Sequence, residues 1–131
     1  MVGIVIVSHS EKLAEGVVEL AKAMAKDARI AAAGGLEDGT LGTSYQRIHD
    51  AIESVDSGDG VAVLMDMGSA VMTAEMVLDD MEDRSIQLVD CPLVEGAVLA
   101  AVEAVTGSSL QTLADRAKDS YVTKKILTET E

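Results

Sequence analysis

A chain of 131 residues is long enough for one domain with a single core and too short for two. Hydrophobic residues make up 48% of it, but Phe and Trp are absent, which argues against a nucleic-acid module that stacks bases on aromatic rings. The formal net charge of −13 gives a surface that repels phosphodiester backbones and anionic membranes.

Cysteine content and the length of the apolar runs exclude further classes of protein. Cys91 is the only cysteine, so the chain forms no intrachain disulfide and no cysteine metal cluster. No leader-like segment precedes the first apolar run, and no apolar run reaches the ~18 residues of a membrane span. We therefore expect a cytoplasmic protein that binds neither nucleic acid nor membranes.

Strand-like and helix-like patterns alternate along the chain. Continuous apolar runs predict strands at residues 3–7, 29–33, 61–65 and 86–89. Helical spacing of apolar residues predicts helices at residues 11–26, 44–55, 70–81, 95–106 and 109–120. A short helical extension or a frayed tail follows Tyr121. The order β-α-β-α-β-α-β-α-α predicts an α/β fold with a doubly wound, mainly parallel sheet. We expect one domain over residues 1–131, with its core in residues 1–120.

Polar residues stand where several of the predicted helices begin. Ser10 is a good N-cap for the first helix, Thr43 or Ser44 for the second, and Ser69 for the third. Spacing predicts one buried face on the first helix, formed by Leu13, Val17, Leu20, Ala21 and Met24. The fourth helix is apolar nearly all round, which is typical of a helix in a core or at a subunit contact. A homodimer is the natural expectation.

The first strand ends on Ser8-His9-Ser10, which delivers an imidazole to the edge of the sheet. Parallel sheets open their ligand crevice beyond the carboxyl ends of their strands. Imidazole stays nucleophilic and active in proton transfer near pH 7, so His9 is a site candidate, with a simple polar loop residue as the alternative. His49 falls in the middle of the second helix, where we expect a surface or boundary residue.

A glycine-rich loop at residues 36–44 follows the second strand and contains Gly42-Thr43. Its glycines allow close backbone approach, and its amides can bind a phosphoryl group. An ordinary strand-to-helix connection is the alternative. A nucleotide motif is not supported, because the loop has no GxGxxG pattern and no lysine.

Asp66 follows the third strand, so a carboxylate reaches the same edge of the sheet as His9. Beside a histidine, a carboxylate can hold the tautomer of the ring and stabilise its cationic form. A helix cap or a turn residue is the alternative. Gly68 frees the backbone next to it, and Ser69 adds a hydroxyl.

These parts favour phosphoryl transfer over other chemistries. No Ser-His-Asp set for acyl transfer stands out, since each serine has an equally good capping role. No spacing of His, Cys or Glu predicts a metal site. An imidazole nucleophile, an orienting carboxylate and donors for a dianion are what phosphoryl transfer requires. The residues predict a phosphohistidine relay, and they leave open which ring nitrogen is modified.

Four stretches, taken together, resemble a known family. They are Ile4-Val5-Ile6-Val7-Ser8-His9-Ser10, Gly42-Thr43, Leu64-Met65-Asp66-Met67-Gly68-Ser69-Ala70 and Pro92-Leu93-Val94-Glu95-Gly96. The set is similar to the mannose-type enzyme IIA domains of the phosphotransferase system. Within them it resembles the phosphocarrier subunit of the phosphotransferase-dependent dihydroxyacetone kinase. The resemblance extends over residues 1–120.

The resemblance implies a homodimeric phosphohistidine carrier. The phosphocarrier protein HPr would phosphorylate His9 on its tele nitrogen, and Asp66 would orient the ring. Gly42, Thr43, Gly68 and Ser69 would line the phosphoryl site, with no metal and no directly bound cofactor. The acceptor would be ADP on the nucleotide subunit (DhaL), and that nucleotide would then phosphorylate dihydroxyacetone on a third subunit (DhaK). With one domain in the chain, we expect HPr to be a separate protein.

Two other functions are alternatives at this point. A mannose-family enzyme IIA could feed the IIB component of a sugar transporter, although the stretches around Asp66 and Pro92 favour the kinase subunit. A flavodoxin-like binding module without phosphotransfer predicts no covalent label on His9. A receiver domain fits less well, because His9 stands where an acidic pair is expected.

Overall fold

The computed structural model describes residues 1–128, and its elements follow the predicted order. Strands β1 to β4 span Gly3–Ser8, Ile30–Gly34, Val61–Met65 and Ile86–Val89. Helices α1 to α5 span Glu11–Met24, Tyr45–Val55, Ser69–Asp79, Leu93–Val105 and Leu110–Lys118. A 3₁₀ turn at Asp119–Tyr121 follows α5.

The four strands form one parallel sheet in the order β2-β1-β3-β4. This confirms the predicted α/β class and the parallel sheet. β1 lies between β2 and β3, and in its register Val7 is level with Ala33 on one side and Met65 on the other. The carboxyl ends of β1 and β3 are therefore direct neighbours.

Helices cover both faces of the sheet, and β1 contributes to the core on each side. Its residues alternate between the faces. Ile4 and Ile6 pack in the cluster beneath α1, α4 and α5, and Val5 and Val7 pack in the cluster beneath α2 and α3. Full burial of each such side chain contributes about 1.5–3 kcal/mol. The strand that ends at His9 is thus anchored from both sides.

The buried face of α1 differs from the predicted one. Three residues of the predicted face are exposed: Leu13 by 44%, Leu20 by 41% and Met24 by 62%. Two residues of the predicted face, Val17 and Ala21, are buried as expected, and Ala14, which was not predicted, completes the inward face. α1 packs against α4, whose buried positions are alanines and one glycine. Small side chains allow two helices to approach closely, so the small face turns inward.

Most helix ends lie one or two residues from the predicted positions, as is usual for helix termini. α1 ends at Met24, because Ala25 leaves helical geometry with φ −143° and ψ 77°. α4 begins directly after Pro92, two residues earlier than predicted. Residues 122–128 are exposed and contain no helix, so a helical extension is wrong for them. The remainder of the predicted tail, residues 129–131, lies outside the described residues.

Within residues 1–128, no helix has both the length and the apolar character that crossing a bilayer requires.

Gly34 is where β2 packs against the beginning of α1. A Cβ there would lie 2.5 Å from the Ser10 carbonyl oxygen and 2.8 Å from Cβ of Ala14. We expect Gly34→Ala to lower the free energy of unfolding by about 1–3 kcal/mol, measured by urea denaturation, because α1 must shift. Gly16→Ala is the matched control, since its Cβ would meet nothing within 4 Å. It should raise stability by about 0.5–1 kcal/mol. Unchanged stability of Gly34→Ala would contradict the close packing.

Candidate active site at the carboxyl edge of the sheet

The ends of β1 and β3 bring His9 and Asp66 together. The Asp66 backbone N–H donates to the Val7 carbonyl at 3.1 Å, which extends the pairing of the two strands by one step. Nδ1 of His9 lies 3.1 Å from Oδ1 of Asp66. An imidazole and a carboxylate therefore lie in contact at this edge of the sheet, as predicted.

The second carboxylate oxygen of Asp66 accepts two further hydrogen bonds. Its donors are the backbone N–H of His9 at 3.0 Å and the hydroxyl of Ser8 at 2.9 Å. Asp66 therefore fixes the main chain at His9 as well as the ring. The side chain of Asp66 is only 11% exposed and that of His9 is 24% exposed.

Ser8 is a site residue that the sequence analysis missed. It is fully buried, and besides donating to Asp66 it accepts the backbone N–H of Ser10 at 3.0 Å. Its hydroxyl therefore links the Asp66 carboxylate to the backbone of Ser10, the N-cap of α1. The only available signal was its position as the one polar residue between a buried strand and His9.

The hydrogen-bond partners of His9 assign the neutral tautomer of the ring. An ionised carboxylate can only accept, so Nδ1 carries the proton and donates to Asp66. Nε2 then holds a lone pair, and the Ser69 hydroxyl donates to it at 2.9 Å. Nε2 is therefore the ring nitrogen whose lone pair is available for chemistry. Ser69 was predicted to cap α3, but it is the first residue of that helix and its N-cap is Gly68.

The amino end of α3 faces open space beside the ring. Gly68 makes no side-chain cap, and a Cβ on it would meet nothing within 4 Å. In the described part of the chain, the backbone N–H groups of Gly68 and Ser69 donate to no acceptor. Free amides at a helix amino end favour an anion. This end of α3 can therefore hold the oxygens of a phosphoryl group.

The glycine-rich loop is tied to the backbone of β1. Gly35 donates its N–H to the Ser8 carbonyl at 3.1 Å, and Gly42 donates its N–H to the His9 carbonyl at 2.9 Å. The amide of Gly42 is thus already used, and it supports the His9 backbone. The Thr43 hydroxyl lies 2.9 Å from the hydroxyl of Thr73 on α3. Thr73 is a second residue that the sequence analysis missed.

The N-caps of the two helices beside the site are formed as predicted. The Ser10 side chain accepts the N–H of Leu13, and the Ser44 side chain accepts the N–H of Arg47. Of the two candidates for the second cap, Ser44 is correct, which leaves Thr43 free for its contact with α3.

The other nucleophilic side chains are His49 and Cys91, and the cleft that Cys91 lines is shared with Asp66 and Gly68 of this site. His49 is half-buried on α2 with its ring stacked on Tyr45, as expected for a boundary residue. Cys91 lines a cleft of about 390 Å³ between the ends of β3 and β4. Burial raises the pKa of its thiol to about 11, so the reactive thiolate is scarce near pH 7. No three His, Cys, Asp or Glu residues among the described ones are grouped to hold a metal ion.

Comparison with known proteins identifies close relatives. The family model described as "PTS system fructose IIA component" (EIIA-man) matches residues 3–114, a range that contains His9, Thr43, Asp66 and Ser69. The PEP-dependent dihydroxyacetone kinase, phosphoryl donor subunit DhaM, of Pantoea ananatis is 41% identical over 132 residues. The alignment covers 95% of this chain and 28% of that protein, so this chain spans only part of the relative's length.

A shorter relative is matched over nearly its whole length. The PTS-dependent dihydroxyacetone kinase, phosphotransferase subunit DhaM, of Lactococcus lactis is 35% identical over 122 residues, which are 93% of this chain and 98% of that protein. The crystal structure of a protein of unknown function, EF1359, is 34% identical with a TM-score of 0.79. It covers 90% of this chain and 93% of its own.

The hydrogen bonds to Asp66 predict a pH dependence of stability. Burial acts to raise the pKa of Asp66, but hydrogen bonds from the His9 N–H, the Ser8 hydroxyl and the His9 ring outweigh it and lower the pKa below the usual 3.8. A carboxyl whose pKa is lower in the folded state contributes stability above about pH 4, and this is lost as the pH falls through the folded pKa.

We expect Asp66→Asn to lack this contribution. The difference in the free energy of unfolding between wild type and Asp66→Asn should shrink as the pH falls below about 4. Urea denaturation at a series of pH values measures the difference. A difference that stays constant through the acid range would show that these hydrogen bonds do not favour the ionised carboxylate.

Proposed function

We propose the function of this chain from the premise that it belongs to the mannose-type enzyme IIA family of the phosphotransferase system, whose model matches residues 3–114. In this function, Nε2 of His9 carries a phosphoryl group from a donor protein to an acceptor. The observation that carries the proposal is the His9 ring, which is held at Nδ1 by Asp66 and whose Nε2 contacts only the hydroxyl of Ser69 among the described residues.

Transfer proceeds by displacement at phosphorus, with the incoming and leaving atoms in line. The Nε2 lone pair forms the N–P bond while the bond from phosphorus to the donor breaks, and the donor atom keeps that electron pair. The Nδ1 proton stays on the ring, which becomes cationic, and the adjacent Asp66 carboxylate balances the charge. In the second half, an acceptor oxygen attacks phosphorus and the N–P electron pair returns to Nε2.

Groups around Nε2 are suited to hold the phosphoryl oxygens. The free N–H groups of Gly68 and Ser69 lie at the amino end of α3, and the Ser69 hydroxyl already contacts Nε2. When phosphorus occupies that position, the Ser69 hydroxyl turns to donate to a phosphoryl oxygen. Hydrogen bonds of this kind to a charged group are worth about 1.5–3 kcal/mol each.

The donor in this proposal is HPr, and the acceptor is ADP on the nucleotide subunit (DhaL) of a dihydroxyacetone kinase. The nucleotide stays on that subunit, and dihydroxyacetone is bound by the third subunit (DhaK). The names of the relatives from Pantoea ananatis and Lactococcus lactis support this assignment. The net charge of −13 favours partners with basic docking faces. We place the chain in the cytoplasm with these partners.

A second copy of the chain completes the assembly that we propose. Beyond its buried alanines, α4 exposes three valines: Val94 by 40%, Val102 by 37% and Val105 by 38%. A helix that is apolar all round is usually covered on every side. A homodimer formed through α4 covers this outer face and leaves His9, at the carboxyl edge of the sheet, available for partners.

The alternative acceptor is the IIB component of a sugar transporter. The same His9 chemistry serves both acceptors. The relatives from Pantoea ananatis and Lactococcus lactis are named as subunits of a dihydroxyacetone kinase, which favours ADP as the acceptor.

Phosphorylation of His9 tests the proposal directly. Incubation with enzyme I, HPr and labelled phosphoenolpyruvate should add one phosphate that is acid-labile and base-stable. We expect His9→Ala to abolish the label and His49→Ala, at the other of the two histidines, to keep it. NMR of ¹⁵N-labelled histidine should place the phosphate on Nε2. Label that persists in His9→Ala would rule out this carrier role.

The loaded protein then identifies the acceptor. With the purified kinase subunits and ADP, the label should appear in dihydroxyacetone phosphate. Transfer to a purified IIB component, without formation of dihydroxyacetone phosphate, would support the transporter alternative instead.

The dimer is tested by its mass in solution. Sedimentation should give about twice the 13.6 kDa of one chain. Val102→Glu places a charge in the proposed contact and should give the monomer mass. Met76→Glu, at an exposed position on α3 across the sheet from α4, is the control and should keep the dimer. A wild-type monomer would exclude the α4 contact.

A further inference from the structure

A pair of threonine hydroxyls joins the glycine-rich loop to α3 beside the His9 ring. Oγ1 of Thr43 and Oγ1 of Thr73 lie 2.9 Å apart, and both residues are half-buried. Thr73 follows Ser69 by four residues, so the two side chains share one face of α3. Ser69 on that face contacts Nε2 of His9. The threonine pair therefore belongs to the helix face that borders the nucleophilic nitrogen.

The threonine pair is linked to His9 by two routes, one through the glycine-rich loop and one through α3. On one side, the Gly42 N–H donates to the His9 carbonyl, and Thr43 is the next residue. On the other side, Thr73 lies one turn after Ser69 on α3, and the Ser69 hydroxyl contacts Nε2 of His9. Thr43 is thus fixed between the backbone of His9 and the helix that holds its ring.

Among the described residues, the hydrogen bond between the two threonines leaves one hydroxyl proton of the pair without an acceptor. Each threonine hydroxyl has one proton and two lone pairs. The contact between Thr43 and Thr73 consumes only one of the two protons. A phosphoryl dianion has no proton to offer, so it needs donors at its oxygens. If Thr73 donates to Thr43, the Thr43 proton is available to the dianion. If Thr43 donates to Thr73, the Thr73 proton is available instead.

We propose that Thr73 is a positioning residue for phosphoryl transfer. It donates its proton to Oγ1 of Thr43, which turns the Thr43 proton towards an oxygen of the phosphoryl group on His9. Thr73 does not touch the phosphoryl group and acts through Thr43. This inference rests on the proposed phosphorylation of His9, and it adds a residue to the site that the sequence motifs do not contain.

Single-turnover transfer from phosphorylated HPr measures the effect. We expect Thr73→Val to slow transfer at saturating HPr by about tenfold, the equivalent of roughly one hydrogen bond, with little change in the HPr concentration at half-maximal rate. Thr73→Ser keeps the hydroxyl and should restore the rate. Thr106→Val is the control, because within residues 1–128 the Thr106 hydroxyl bonds only to its own helix at the end of α4. It should transfer at the wild-type rate.

A double variant separates positioning from a general effect on structure. If Thr73 acts only through Thr43, adding Thr73→Val to Thr43→Val should cause no further loss of rate. Thr73→Ala replaces the valine variant if circular dichroism shows that valine disturbs α3. A wild-type rate for the variant without the hydroxyl would overturn the inference. So would a slow Thr73→Ser variant, or losses that multiply in the double variant.

The outcomes distinguish this inference from the function on which it rests. Wild-type protein that takes no label on His9 refutes the carrier function and the role of Thr73 together. Wild-type protein that is labelled, with Thr73→Val equally fast, refutes only the role of Thr73.

Discussion

The carboxylate of Asp66 accepts hydrogen bonds from three groups at once, and the geometry of the site depends on it. One oxygen meets the His9 ring, and the other accepts the His9 N–H and the buried Ser8 hydroxyl. Without a carboxylate here, a buried hydroxyl and a backbone N–H would lose their partner, which costs about 1–3 kcal/mol for each group. The same interaction fixes the end of β1, the tautomer of the ring and the entry into α1.

The sheet order makes this interaction available. β1 and β3 are neighbours, and the Asp66 N–H continues their pairing beyond the last paired residues. α1 leaves β1 towards one face of the sheet, and α3 leaves β3 towards the other. Two helix amino ends therefore diverge from one point, and His9 lies in the gap between them. In open parallel sheets, such gaps are where ligands bind.

The sequence predicted the parts of this site that follow from strand ends. Asp66 comes directly after one continuous apolar run and His9 one residue after another, so their meeting requires only that the two strands be neighbours. Ser8 and Thr73 were not predicted, because a buried hydroxyl in a strand and one inside a helix leave no mark on apolar spacing. Their roles come from contacts between residues 30 or more positions apart.

The buried face of α1 was predicted only in part, since Val17 and Ala21 are buried but the larger side chains are not. Helical spacing placed Leu13, Leu20 and Met24 on the inner face, and all three are exposed. The structure buries alanines there, because the neighbouring helix α4 is itself rich in alanine and approaches closely. Which of two apolar faces of a helix is buried depends on the surface that packs against the helix. That surface belongs to residues some 80 positions further along the chain.

The occupied Nδ1 of His9 has a consequence for the order of events in a carrier. In the proposed relay, that nitrogen is committed to Asp66, so Nε2 is the single ring atom of His9 at which phosphorus arrives and departs. Donor and acceptor must then present their reacting atoms at the same spot, so the first protein has to dissociate before the second can bind. The flux through such a shuttle is limited by how quickly each encounter ends, and very tight binding of either protein would slow the cycle.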